Sequence, residues 1–407
     1  MTQAPLAGIK VLELARILAG PWVGQTLADL GAEVIKVERP GAGDDTRHWG
    51  PPFVTSPAGE NLGAAYFHGC NRGKRSIAVD FEKPEGAEIV RRLAMEADVV
   101  VENFKVGGLK KYGLDHETLS AANPRLVWCS ITGFGQTGPY APRAGYDFMI
   151  QAMGGYMDLT GAPDGEPTKV GVAVADLFTG LHAVIGIQAA LIAREKTGRG
   201  QLVDMSLFDT MVAMLANQGM NYLVSGKTPK RMGNAHPNIV PYQVFPVADG
   251  WVVIATGNDR QFRDTCAILG LEDLAFDARF VHNAGRVAAR AELIPLLEAR
   301  TRGFRRDDLL AQLEAAHVPA GPINTVADVF ADPQAIARGL RLDLPHGDAT
   351  GGTVPSIRNP IVLSDTPLTH AHASPDLGAD TDAVLLALGW DETEVQRLAD
   401  AGVVGRT

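Results

Sequence analysis

Residues 8–38 read GIKVLELARILAGPWVGQTLADLGAEVIKVE, and the order of segments in this stretch decides the fold. Ile9–Leu14 is an apolar run of strand length, Gly20–Leu30 carries helical spacing, and Glu33–Glu38 returns to a strand rich in β-branched residues. Strands separated by a helix of ten or more residues imply parallel pairing. The alternation then continues. Ser76–Asp80 reads as a strand, Pro84 opens the helical PEGAEIVRRLAMEA, DVVVEN (98–103) is a strand, Leu109–Ala122 is mostly helical, and RLVWCSITGF (125–134) is a strand. This pattern predicts an α/β protein whose large domain is Rossmann-like, with helices on both faces of a parallel sheet.

A second stretch, VGVAVADLFTGLHAVIG (170–186), predicts a β-like run at Val170–Ala175 and an apolar helix continuing to about Arg194. KTGRGQ then forms a basic glycine turn, and VDMSLFDTMVAMLANQGMNYL has helical period. Residues 225–240 form a Gly-, Pro- and Asn-rich loop. YQVFPVADGWVVIAT predicts a hairpin turning at Asp249–Gly250. Residues 258–317 read as helices, 340–365 as short strands and 380–400 as a helix. The organisation expected is a large domain begun by 1–225, a smaller α+β domain at 226–325, and a return segment, 326–407, that completes the first.

The chain has 407 residues, 46% hydrophobic and 21% charged, which allows a large globular core. A net charge of −10 argues against a protein built to grip nucleic acid. Cys70, Cys129 and Cys266 lie far apart, as reduced thiols of a cytoplasmic protein would. The start MTQAPLAGIKVLEL has no signal-peptide pattern. The most apolar helix, around 180–194, is interrupted by Gly180, His182 and Gly186 and is expected to be core, too short to span a bilayer.

Asp176 is the one formal charge in 170–186. Immediately before a helix, an Asp reads first as an N-cap. The helix dipole would also keep it ionised there, and a poorly hydrated carboxylate is a competent nucleophile toward a thioester. Arg39 at the end of the second strand lies where open α/β sheets bind ligands. Arg72, Lys74, Arg75, Lys105, Lys110, Lys111 and Arg143 recur near later strand ends and would suit a ligand with separated phosphates if they shared one edge. The first strand–helix connection, ELARILAGP, lacks GxGxxG, so a dinucleotide cradle is not expected. No HxxxH, HExxH or GxSxG occurs, so neither a metal site nor a serine hydrolase is expected.

Over nearly its full length the chain resembles the class III (formyl-CoA transferase-like, CaiB/BaiF-type) CoA-transferases. The carrying stretches include GIKVLELARILAGP, LADLGAEVIKVERPGAGDDTR, NRGKRSIAVD, ADVVVENFKVGGLKKYGL, NPRLVWCSITGFGQTGPY, GVAVADLFTGLHA and REKTGRGQLVDMSL. The resemblance implies a Rossmann-type large domain made from both chain ends, a small domain, and two subunits interlocked as rings in a homodimer. It implies that Asp176 is the nucleophile, carrying an aspartyl-CoA thioester, and that no cofactor is permanently bound, a coenzyme A thioester being the substrate. Positions matching CoA contacts are Ile17, Arg39, Val79, Asn103, Phe104, Lys105 and Lys111, with Arg143 one place from a family lysine.

The family also holds α-methylacyl-CoA racemases, which pair the aspartate with a histidine in a GHD-type motif. Here Gly145-Tyr146-Asp147 stands in its place, and a tyrosine of ordinary pKa about 10 is a poor base at neutral pH. A racemase using Asp147 or Asp259, or a non-catalytic CoA-binding module, remains an alternative. Gly233-Asn234-Ala235-His236-Pro237 and Leu18 depart from the formyl-CoA transferase pattern, so oxalate and formate are not expected substrates. KRMGNAHPNIVPYQVF with GPINTVADVFADPQ resembles the branch acting on succinyl-CoA with glutarate or hydroxymethylglutarate. A second substrate carboxylate needs a cation or donors, for which Arg16, Tyr146, Arg231 and His236 are the candidates.

Overall fold

The computed structural model describes residues 3–406, which form two compact units. Of the described residues, unit 1 comprises 3–155, 170–220 and 333–406, so it is built from both early and late parts of the chain; unit 2 comprises 156–169 and 221–332.

In unit 1 the opening stretch forms β1 (Lys10–Glu13), α1 (Ala19–Asp29) and β2 (Glu33–Glu38). There follow β3 (Arg75–Val79), α2 (Pro84–Glu96), β4 (Val99–Glu102), α3 (His116–Ala122), β5 (Val127–Thr132), α4 (Asp147–Met153), α5 (Val174–Thr197) and β6 (Leu202–Ser206). These six strands are all parallel and run in the order β3-β2-β1-β4-β5-β6, the doubly wound Rossmann order. The strand Val404–Gly405 pairs antiparallel at the β3 edge. The central strands are buried on both faces, which is why VVVE and VWCSIT read as continuous apolar runs and not as alternating ones. Ile89, Val90 and Leu93 of α2 pack with Leu12, Val100 and Trp128 in one core layer, each such side chain contributing about 1.5–3 kcal/mol.

In unit 2, Tyr242–Val247 and Gly250–Ala255 form the expected hairpin, extended by Ala320–Pro322 into a three-stranded antiparallel sheet. Phe245, Ile254, Phe262, Leu293 and Leu309 fill its core with the helices that follow. The 156–169 segment joins this unit because Arg231 donates to the carbonyls of Ala162 and Gly165 at 3.2 and 3.0 Å.

Several local expectations are corrected. Leu202–Ser206 is a strand, not the start of a helix, and it is the partly exposed edge of the sheet, where apolar alternation is weak. Val170–Ala173 is no strand, and the helix begins at Val174. Leu109–Ala122 breaks at Gly113, left-handed at φ 63°, into a short 3-10 turn and α3. The apolar helix is longer than expected. At 24 residues, α5 is long and apolar enough to cross a membrane by length and composition, although it packs on α1, β5 and β6.

Candidate functional site

The strand order reverses between β1 and β4, and the crevice beyond the carboxyl ends of strands at such a switch point is where open α/β sheets bind ligands. The chain leaving β1 turns at Arg16–Ile17, and the chain leaving β4 turns at Asn103–Phe104. The two turns are tied together: Arg16 N–H donates to Asn103 Oδ1 at 3.0 Å, and Asn103 Nδ2 donates to the Arg16 carbonyl at 2.7 Å. Buried Glu102 fixes the second turn by accepting the Phe104 amide at 2.8 Å.

A cleft of about 450 Å³ opens here. It brings Ile17, Asn103, Phe104, Lys105, Lys111 and Arg143 together with Arg16, Tyr146 and Asp176. Arg39 and Val79 line an adjoining cleft of about 370 Å³, continuous with the first through Arg16, Phe81, Glu82 and Phe104. Every position matched to a CoA contact, together with Arg16, Tyr146 and Asp176, therefore borders these two adjoining clefts. His236 lies in unit 2, where its Nδ1 accepts the Asn238 amide at 3.1 Å and its ring packs on Tyr242. Arg231, also in unit 2, spends its guanidinium on loop carbonyls.

Asp176 is not the N-cap of α5. Ala173 holds that place without a side-chain bond, and Asp176 stands in the first turn. The capping carboxylate belongs to Asp147. Its Oδ1 accepts the amides of Ala175 and Asp176 at 2.7 and 3.4 Å, and its Oδ2 accepts Gln151 Nε2 at 2.7 Å. Asp147 reaches that position because Gly145 crosses Gly133 in backbone contact: a Cβ at Gly145 would lie 2.4 Å from Gly133 Cα.

Released from capping, the Asp176 carboxylate accepts no hydrogen bond among the described residues. The expectation that it is firmly ionised is also corrected. Burial, and then the charge of Asp147, push its pKa up to about 7. The same neighbourhood keeps the Tyr66 phenol protonated, because burial and the Asp176 charge raise its pKa.

The basic residues divide into two sets. Arg39, Lys105, Lys111 and Arg143 are exposed on the groove and have no acidic partner within ion-pair distance among the described residues. Arg72 and Lys74 point inward and are corrected as ligand candidates. Arg72 forms a pair with Asp29 in which Nη2 lies 2.6 Å from Oδ2, and Lys74 pairs with Glu13 at 2.8 Å, all four side chains buried. Arg75 pairs with Asp380 and Glu33, and Lys110 with Glu117.

Lys36 and Asp44, under the groove floor, were not singled out from sequence. Lys36 is 1% exposed and pairs with both Glu13 and Asp44 at 2.9 Å. Burial opposes its charge, but Glu13, Asp44 and Glu38 outweigh that and raise its pKa. The signal existed: a lysine inside EVIKVE, a central parallel strand, must be buried and therefore paired.

A family model described as CoA-transferase family III matches residues 6–381. A succinate–glutarate CoA-transferase of Agrobacterium fabrum is 57% identical over 384 residues, covering 94% of this chain and 96% of that protein. The succinyl-CoA:glutarate CoA-transferase of Homo sapiens is 44% identical over 402 residues, covering 98% and 90%. The crystal structure of a CAIB/BAIF family protein from Brucella suis superposes with a TM-score of 0.84 at 63% identity, covering 95% of this chain and 100% of that one. A switch-point groove with unpaired cations and a free carboxylate thus sits in a chain whose match extends over almost all its length, and the chain belongs to CoA-transferase family III.

Proposed function

We propose that this enzyme moves CoA from succinyl-CoA or a related dicarboxylyl-CoA to a second dicarboxylic acid, through an aspartyl-CoA thioester on Asp176. The observation that carries this reading is the Asp176 carboxylate, which accepts no hydrogen bond among the described residues, on the wall of a groove whose cations have no acidic partner among them. Arg39, Lys105, Lys111 and Arg143 suit the phosphates of CoA, with Ile17, Val79, Asn103 and Phe104 as walls. The dicarboxylate class is supported by the names of relatives, which include a succinyl-CoA:mesaconate CoA-transferase of Haloarcula hispanica at 39% identity. Arg16 and Tyr146 on the cleft are the candidates to meet the second carboxylate.

In the chemistry proposed, an Asp176 oxygen attacks the acyl carbonyl, the C–S bond breaks, and CoA thiolate leaves behind a mixed anhydride. The thiolate attacks the aspartyl carbonyl of that anhydride, which releases the donor acid and leaves aspartyl-CoA. The acceptor carboxylate then attacks the aspartyl thioester and expels thiolate. The thiolate takes the new acyl group and restores the Asp176 carboxylate. No water is consumed, and its exclusion keeps the anhydrides from hydrolysis. A racemase reading has less support, since Asp147 spends both oxygens on Ala175, Asp176 and Gln151.

Leu181, Ile185 and Ile192 lie exposed along one face of α5. An apolar face of this kind marks an interaction surface, and the resemblance supports a second copy of the chain, interlocked, as its cover. The three free, buried cysteines support a reducing, cytoplasmic setting. The test crosses acyl-CoA donors with mono- and dicarboxylic acids on material whose sedimentation mass is measured. Exchange confined to dicarboxylates, a CoA adduct on the Asp176 peptide and a mass of two chains are expected. Binding without exchange across the panel would instead leave a CoA-binding module, and a one-chain mass would remove the dimer.

The raised pKa sets a pH dependence. Only the carboxylate attacks, so kcat/KM is expected to fall as pH drops below about 7, the value burial and Asp147 impose on the free enzyme. Asp147→Asn keeps an acceptor for the Ala175 amide and removes the like charge, so the acid limb should move to lower pH. A limb that stays in place, or moves upward, contradicts this electrostatic account.

A further inference from the structure

The groove wall beside Asp176 contains a strained residue. Ile17 has φ 74°, in the left-handed region that β-branched residues avoid. Such a conformation persists only where the surroundings over-determine it, and here they do. The Ile17 amide donates to Asp44 Oδ1 and Oδ2 at 3.2 and 3.3 Å, and its carbonyl accepts Cys70 Sγ at 3.6 Å. Asp44 is itself held from below. Oδ1 accepts Thr46 N and Oγ1 at 3.0 and 2.8 Å, Oδ2 pairs with Lys36 Nζ at 2.9 Å, and the Asp44 amide donates to Glu38 at 2.9 Å. The Lys36 ammonium also donates to Glu13 and to the Ala15 carbonyl, at 2.9 and 2.8 Å, which accounts for its three protons.

We propose that Asp44, braced by Lys36, is a positioning residue for acyl-CoA binding: its carboxylate holds the Arg16–Ile17 turn in the left-handed conformation that shapes the groove wall next to Asp176. The inference rests on the reading that this groove takes acyl-CoA. Without the clamp, Ile17 relaxes to negative φ, the peptide rotates, and the wall leading into α1 changes shape. The loss falls equally on bound substrate and on transition state, so it belongs in KM and not in kcat.

Asp44→Asn is isosteric but cannot present two acceptor oxygens. It is expected to raise KM for acyl-CoA on the order of tenfold while kcat stays within about threefold. Hydrogen exchange of a peptide spanning residues 14–20 should quicken in the same variant. The decisive arm repeats the substitution in an Ile17→Gly background, where glycine adopts φ 74° unaided. The KM penalty of Asp44→Asn should shrink there to about threefold or less. An equal penalty in both backgrounds, or unchanged exchange at 14–20, overturns the inference. If Asp44→Asn does not fold, Cys70→Ala removes the tie on the Ile17 carbonyl, and its smaller KM rise must likewise vanish with Ile17→Gly. Failure of the acyl-CoA reading has a different signature: wild-type protein would show no exchange activity, and CoA would not protect the 14–20 peptide.

Discussion

Asp176→Ala is expected to abolish CoA exchange, lowering turnover by roughly 10⁴-fold or more, while acyl-CoA affinity stays within a few fold. Asp147 cannot take over, because its carboxylate is committed to capping α5. Asp176→Asn should be equally inactive, since an amide does not attack a thioester. Its stability should move the opposite way to its activity. The wild-type group has its folded pKa raised from 3.8 to about 7. The folded state therefore binds a proton that the unfolded chain has released, and wild-type stability declines as pH rises between those values. Above about 7 the penalty is complete, and towards 3.8 it vanishes. Asp176→Asn carries no such penalty, so its melting temperature should exceed wild type at pH 8, with the difference closing as pH falls. Calorimetry at several pH values, beside a mass-spectrometric exchange assay, reads both effects. Retained turnover in either variant would remove Asp176 from the chemistry, and a melting point below wild type at pH 8 would remove the account of its electrostatics.

The parallel sheet was legible because strand and helix alternate through residues 8–134 with clean changes of period. The order of the strands was not, since β3 and β4 take their places through contacts distant in sequence. β6 was hidden because its exposed edge residues run directly into a helix at Leu207. Asp176 was visible as a lone acid, yet its cap could not be read, because Asp147 lies 28 residues before the Ala175 amide it accepts. The basic residues show the limit most clearly. Lys74 and Lys111 both follow turns, and only the tertiary fold turns one into the core against Glu13 and leaves the other on the groove. Spacing along the chain does not encode that choice, whereas charge balance in the buried strands partly does. Lys36 and Glu38 inside EVIKVE required buried partners before any partner was known.

That balance yields the largest expected effect on stability. Glu13, at the end of β1, is fully buried and serves both Lys36 Nζ, at 2.9 Å, and Lys74 Nζ, at 2.8 Å. Glu13→Ala would leave the buried Lys74 without its carboxylate partner and Lys36 with Asp44 alone. Breaking such a network costs about 3–5 kcal/mol, a large share of the ~5–15 kcal/mol that holds a typical domain. Poor soluble yield and a melting temperature lower on the order of 10 °C are expected. Gly24→Ala should act through the same group, because a Cβ there would lie 1.7 Å from Glu13 Oε2 and force the carboxylate off its lysines. The control is compensation. Glu13→Leu combined with Lys74→Met removes one charge of each sign and keeps the Lys36–Asp44 pair, so the double variant should be more stable than Glu13→Leu alone. If the double variant is as unstable as the single one, lost packing and not unpaired charge sets the cost, and the buried network is a consequence of the fold around the groove instead of a condition for it.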